Sequence, residues 1–270
     1  MAGNTKQLRQ RIKSVNSTLQ LTNAMGLVAG SKIRKANMGM QNARQYARSI
    51  EKTVAQLCTD PDVKRSLYMA KREGNRTRLI VIAGDRGLAG GYNAAVFRLT
   101  KSFGEAEIIP IGKRACDRFG RESVSSEHIS FEEAFCLADR LCREFCDGLY
   151  DRLGVVYTEY QSVMASEAKV KWLLPLKENE ASKSAGTVFE PDCLTVLKGA
   201  VKEYIAGMIC SLARESFACE VAARRNAMDS AEKNANQMIE RLSLEYNRAR
   251  QGAITQEITE IVAGSGGDTI

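Results

Sequence analysis

Residues 191–264 read PDCLTVLKGAVKEYIAGMICSLARESFACEVAARRNAMDSAEKNANQMIERLSLEYNRARQGAITQEITEIVAG, and no proline follows Pro191. Asp192 suits a helix start, because a short carboxylate can accept from the free N–H groups of a first turn. Val201, Ile205, Met208 and Leu212 then recur at helical spacing. Farther on, Ile239, Leu242, Tyr246, Ala249 and Ala253 repeat in steps of three and four, with Ile254, Ile258 and Ile261 as a parallel stripe. Between the two runs, over 217–236, the register slips and the side chains shrink to Ala, Ser, Cys and Asn, a slip that changes the local winding of a coiled coil. The glycines of 264–267 are a stop signal. A helix of about 70 residues spans on the order of 100 Å at about 1.5 Å per residue. Ordinary globular helices average about 11 residues, so this one is a rod.

The other end of the chain answers it. No proline precedes Pro61, and one register runs from Leu8 through Ile12, Val15, Leu19, Thr22, Gly26, Ala29, Ile33, Ala36, Met40, Ala43, Ala47, Ile50 and Val54 to Leu57. That is about seven heptads, more than the three or four that indicate a coiled coil. The small residues from Thr22 to Ala29 let another backbone approach closely. Residues 1–57 carry 10 Lys or Arg and one acid, whereas residues 192–270 carry 9 basic and 11 acidic residues. Antiparallel pairing of the two ends is therefore electrostatically favourable, by a small margin at exposed positions.

Between the ends lies a different pattern. Residues 60–75 read as a linker or break. Apolar runs at 77–83 (TRLIVIA), 106–111 (AEIIPI), 154–160 (GVVYTEY) and 170–176 (VKWLLPL) are strands; helical stretches begin near Asn93 and cover 113–119 and 131–150. This alternation predicts a small, largely parallel α/β sheet, followed by a polar loop at 177–186. The fold class is thus α+β: a long antiparallel coiled coil formed by the N- and C-terminal helices with an inserted α/β, Rossmann-like domain. The expected division is 1–60, 75–176 and 190–264.

Chemistry-bearing motifs are few. The strand–helix turn GDRGLAGGYN (84–93) could cradle a phosphate on backbone N–H groups. Its glycines, at 84, 87, 90 and 91, fit neither G-x-G-x-x-G nor G-x-x-x-x-G-K-[ST], which favours a structural turn that Asp85 and Arg86 cap or extend toward a partner. Eight cysteines form no Cys-x-x-Cys pair. Cys142 and Cys146 lie one helical turn apart, but with His128 as the one histidine a metal set lacks ligands, and buried reduced thiols are the expectation. No apolar run reaches the length of a membrane span, and no apolar signal region opens the chain. Two rival functions stay in view: a nucleic-acid-binding coiled coil resting on the basic N-terminal helix, and a nucleotide-using α/β enzyme resting on the 84–93 loop.

Three stretches, IKSVNSTLQLTNAMGLVAGSKIRKA (12–36), GDRGLAGGYN (84–93) and ESFACEVAARRNAMDSAEKN…LEYNRARQGAITQEITEIVAG (215–264), resemble the gamma subunits of F-type ATP synthases. The resemblance implies a central stalk that performs no bond chemistry and holds no cofactor or metal. It implies three alpha and three beta subunits, an epsilon subunit and a membrane c-ring as partners, with no nucleic acid and no membrane span of its own. Met25 would meet a beta subunit. Arg224, Arg250, Gln251, Thr255 and Glu257 would contact the catch loops or hold the shaft. Asp85 and Arg86 would lie in the foot, near epsilon and the ring. Gly84 and Ala89 stand where the family often has Ser and Cys, and Gly26 and Gly30 loosen the N-terminal helix. The inserted cysteine-bearing segment of plastid relatives is not seen and no targeting peptide is visible, so the expectation is a peripheral protein on the cytoplasmic face of a bacterial plasma membrane.

Overall fold

The computed structural model describes residues 2–70, 72, 74–120, 124–177 and 189–265. All of the expected loop at 177–186 after Lys177, and the end of the glycine stop, 266–267, lie outside them. Two long helices frame the chain: α1, Ala2–Leu57, and α6, Cys193–Ser265. Between them run α2 (Pro61–Lys64), β1 (Thr77–Ile82), α3 (Tyr92–Lys101), β2 (Glu107–Ile111), α4 (Lys113–Phe119), α5 (Phe131–Cys146), β3 (Arg152–Tyr160) and β4 (Ser166–Leu174). The chain divides into two compact units, one of residues 1–28 with 225–270 and the other of residues 29–224.

In the first unit the two helices pair through small residues. Met228 packs where Gly26 has no side chain, and the Arg225 guanidinium donates to the Gly26 carbonyl at 2.9 Å while holding Asp229 one turn along. Leu8, Ala235 and Leu242 are buried on this seam. All fifteen positions of the α1 stripe are buried or half-buried.

In the second unit α1 and α6 run antiparallel: Ala36 and Met40 pack on Ala218, Tyr46 and Ile50 flank Gly207, and Asp60 meets Cys193. The Asp192 carboxylate accepts from Thr195 N at 2.8 Å, the expected start of α6. From Tyr204 to Ile209 every residue of α6 is buried, as in a helix enclosed on all sides. The sheet order is β2-β1-β3-β4. β1 is parallel to β2 and to β3. Alternate residues of β1 serve opposite faces. Ile80 and Ile82 join the large core beneath α1, α5 and α6, and Leu79 and Val81 join a smaller one with α3 and α4.

Two expectations change, and the expected, largely parallel sheet carries one antiparallel edge strand. The break at 60–75 holds a helical turn, capped by the Asp60 carboxylate, which accepts from Asp62 N. β4 is antiparallel to β3, because the residues 161–165 that join them are too few for a parallel crossover. And α5 stops at Cys146, released by Gly148 at φ +76°.

Candidate interaction surfaces

The Gly-rich loop is built inward. Asp85 directs both carboxylate oxygens into its own fold: Oδ1 accepts from Lys113 N at 2.9 Å and Ser126 N at 3.1 Å, and Oδ2 from Ser125 Oγ at 2.7 Å and Glu127 N at 3.0 Å. Burial alone would push its carboxyl up; the Ser125 hydroxyl and the Lys113, Glu127 and Ser126 N–H groups outweigh that and hold it below the usual carboxylate range. One side chain thereby ties the end of β1 to the start of α4 and to the segment before α5.

Beside it, Glu220 of α6 is 1% exposed. Its carboxylate accepts from Asp85 N and Arg86 N, each at 3.3 Å, and from Arg224 Nη2. Arg224 also donates to the Gly87 carbonyl at 3.2 Å. The Arg86 guanidinium is 61% exposed and reaches Glu127 at 3.9 Å, and Leu88, at φ +61°, is exposed at the loop tip. Asp85, Arg86 and Arg224 thus belong to one network around Glu220 and Glu127. On the loop, Arg86 and Leu88 face solvent.

One turn earlier on α6 a second carboxylate is enclosed. Arg44 of α1 grips Glu215 through Nη2 at 2.6 Å and Nε at 3.1 Å, while Tyr160 N, at the end of β3, donates to Glu215 Oε1 at 2.8 Å. Ser216 Oγ accepts from Thr158 N at 3.2 Å, and Tyr92 OH donates to the Ser216 carbonyl at 2.9 Å. Sequence reasoning passed over Arg44, Glu215, Ser216 and Glu220. The available signal was a pair of acids and a serine inside an α6 stretch otherwise small or apolar.

The other candidate residues lie in the first unit. Met25 is half-buried on α1. Arg250, Gln251, Thr255 and Glu257 are all exposed on α6, and from Arg250 to Ala263 Ala253 alone is partly covered. Helix lengths explain this. With Gly26 opposite Met228, an antiparallel partner puts the first residue of α1 opposite about residue 252. Beyond that point Ile254, Ile258, Ile261 and Val262 stand 44–70% exposed. Contiguous exposed apolar surface of this kind marks an interaction site.

The cysteine pair carries no comparable arrangement. Cys142 and Cys146 line a cavity of about 740 Å³ with Tyr68, Arg143, Lys198 and Lys202. Burial pushes the Cys142 thiol up to about 12, leaving it protonated and inert at neutral pH. No disulfide joins any of the eight cysteines; four are buried, and Cys136 is exposed, contrary to the expectation of buried thiols. No cluster of three metal-ligating side chains occurs among the described residues. No helix among them is long and apolar enough to cross a membrane.

The sequence matches the family described as ATP synthase over residues 4–266. A curated relative from Ruminococcus albus, named ATP synthase gamma chain, is 41% identical across 97% of this chain and 98% of its own. The chain belongs to the ATP synthase gamma chain family. A family member from Acetobacterium woodii, named as sodium ion specific, is 34% identical over 98% of this chain and 99% of the relative. The fold matches a chain of the Euglena gracilis mitochondrial ATP synthase with a TM-score of 0.69 at 16% identity, covering 100% of this chain and 98% of that one. A chain of the Tetrahymena thermophila central stalk and c-ring gives 0.62 at 22% identity, covering 78% of this chain and 99% of that one.

Proposed function

We propose that this chain is the central rotary stalk of an F-type ATP synthase, coupling ion flow through a membrane ring to ATP synthesis or hydrolysis in a catalytic head. The observation that carries the reading is the end of α6. Inside a family of gamma chains, it outruns its partner helix and leaves polar and apolar side chains exposed on every side. A helix of that kind is stable when other protein surrounds it.

The partners are three alpha and three beta subunits around the exposed end, with an epsilon subunit and the c-ring at the α/β domain. The working division is 1–60, 75–176 and 190–264. The stalk makes no bonds and needs no cofactor, metal or nucleic acid. It acts as a peripheral protein at the cytoplasmic face of a bacterial plasma membrane. Each angle of the shaft must favour a different conformation in each catalytic subunit, because a contact that is equal for all states shifts none of them. An asymmetric pair of helices supplies unequal contacts.

Arg250, Gln251, Thr255 and Glu257 are assigned to the contact with the head, and Met25 to a beta subunit. Arg86 is assigned to a contact from the loop. Asp85 and Arg224 hold that loop and act through it. Arg250 and Gln251 are exposed, so replacing both by alanine leaves the fold intact. With each of the two lost intersubunit hydrogen bonds worth about 0.5–1.5 kcal/mol, about 1–3 kcal/mol together, ion-driven ATP synthesis falls by about five- to 150-fold. Normal synthesis by the double variant contradicts the assignment. The reading as a whole is tested by reconstitution with alpha and beta subunits, where sustained ATPase turnover should depend on this chain. A chain that neither joins the hexamer nor alters its turnover overturns it.

A further inference from the structure

In an open α/β sheet, ligands bind outside the carboxyl ends of the strands, where the chain turns from one side of the sheet to the other. Here β1 leads to β2 on one side, and the chain then crosses to β3 on the other. The turning point is therefore the carboxyl ends of β1 and β3. The chain places its own α6 there. Ser216 and Glu215 take the N–H groups of Thr158 and Tyr160 at the end of β3, and Glu220 takes those of Asp85 and Arg86 after β1.

We infer that the 84–91 loop is an oxyanion-binding site whose permanent occupant is the Glu220 carboxylate. Two successive backbone N–H groups converge on that carboxylate, the arrangement by which strand–helix turns bind phosphate. Gly84 keeps the approach open: a Cβ there would stand 2.7 Å from the Glu220 carboxylate carbon. Arg224 supplies the counter-charge that a free anion would otherwise find in a phosphate-loop lysine. This accounts for a Gly-rich turn that follows no nucleotide-binding spacing. The anion it holds is part of the chain, and holding it seats the sheet on α6 with a fixed direction. The chemical class the vacated site accepts is a small oxyanion, carboxylate or phosphate.

The test uses the full-length chain with Glu220→Ala, which removes the carboxylate and leaves its donors in place. Its Tm should fall below that of the parent. Formate, at about ten times its Kd, should return about 2–4 °C of the loss. Chloride at equal ionic strength should return none, and the parent chain should not respond to formate. Phosphate that restores Tm as formate does extends the site to phosphoryl groups; phosphate that fails where formate succeeds restricts it to carboxylates. An unchanged Tm in the variant, or a loss that formate and chloride treat alike, overturns the inference. Glu220→Gln keeps the side-chain volume, and in that variant the amide hydrogens of Asp85 and Arg86 should exchange about tenfold faster than in the parent. Unaltered protection of both amides also overturns it.

Discussion

Replacing Arg44 by alanine lowers the stability of the unit that holds the sheet by about 3–5 kcal/mol, the cost of breaking a buried ion pair from one side. The magnitude follows from what is left behind. The Glu215 side chain is 6% exposed and Arg44 30%. The guanidinium fork meets both carboxylate oxygens, a geometry roughly twice as strong as a neutral hydrogen bond. Without it the buried carboxylate keeps only Tyr160 N as a donor. Lysine restores the charge but not the fork, so Arg44→Lys recovers part of the loss. Arg44→Met combined with Glu215→Leu also costs less than Arg44→Ala, because no charge is then stranded. Trp172, the chain's one tryptophan, lies in β4 and reports the transition. Urea denaturation followed by its fluorescence should show a midpoint lower by about 1–2 M for Arg44→Ala. A shift of less than about a quarter of that would mean that the pair does not set the register of α1 against α6.

The rods and the strands were legible because each rests on a local period. The 3-4 stripe from Leu8 to Leu57 maps residue for residue onto the covered face of α1, and TRLIVIA contains β1 within one residue. What stayed hidden depends on contacts between distant parts of the chain. Strand direction is one case: the residues of β4 carry no mark of parallel or antiparallel pairing, and only the length of the joining turn decides it. The candidate site divides the same way. Exposure of Arg250, Gln251, Thr255 and Glu257 follows from α6 being longer than α1, which can be counted in the sequence. The role of Asp85 cannot, because its donors come from Lys113 and from residues 125–127, far along the chain. Nothing in the helical period sets Glu215 and Glu220 apart. They are buried because the sheet ends exactly where they emerge from α6, a coincidence of tertiary structure that no helical period records.

Removing the Asp85 carboxylate is the second large loss. Asp85→Ala strands three backbone N–H groups and one hydroxyl that now converge on two oxygens. Hydrogen bonds to a charged acceptor contribute about 1.5–3 kcal/mol where buried, and Asp85 is half-exposed, so the combined cost is about 3 kcal/mol and not the sum of four such bonds. Asparagine keeps one acceptor oxygen and loses about half as much. The pH dependence separates this account from simple loss of packing. The folded carboxyl is held below its usual range by those donors, against the opposing effect of burial. The native state therefore binds fewer protons than the unfolded one, whose aspartates titrate near about 3.9. The stabilisation is complete above about pH 5 and fades as pH falls through about 4 toward the folded value. The gap between parent and Asp85→Ala chains should be widest at pH 7 and narrower at pH 3, as read by denaturant titration at both. A gap that persists undiminished at pH 3 would mean that the aspartate acts by its shape, and that the loop is held by Glu220 alone.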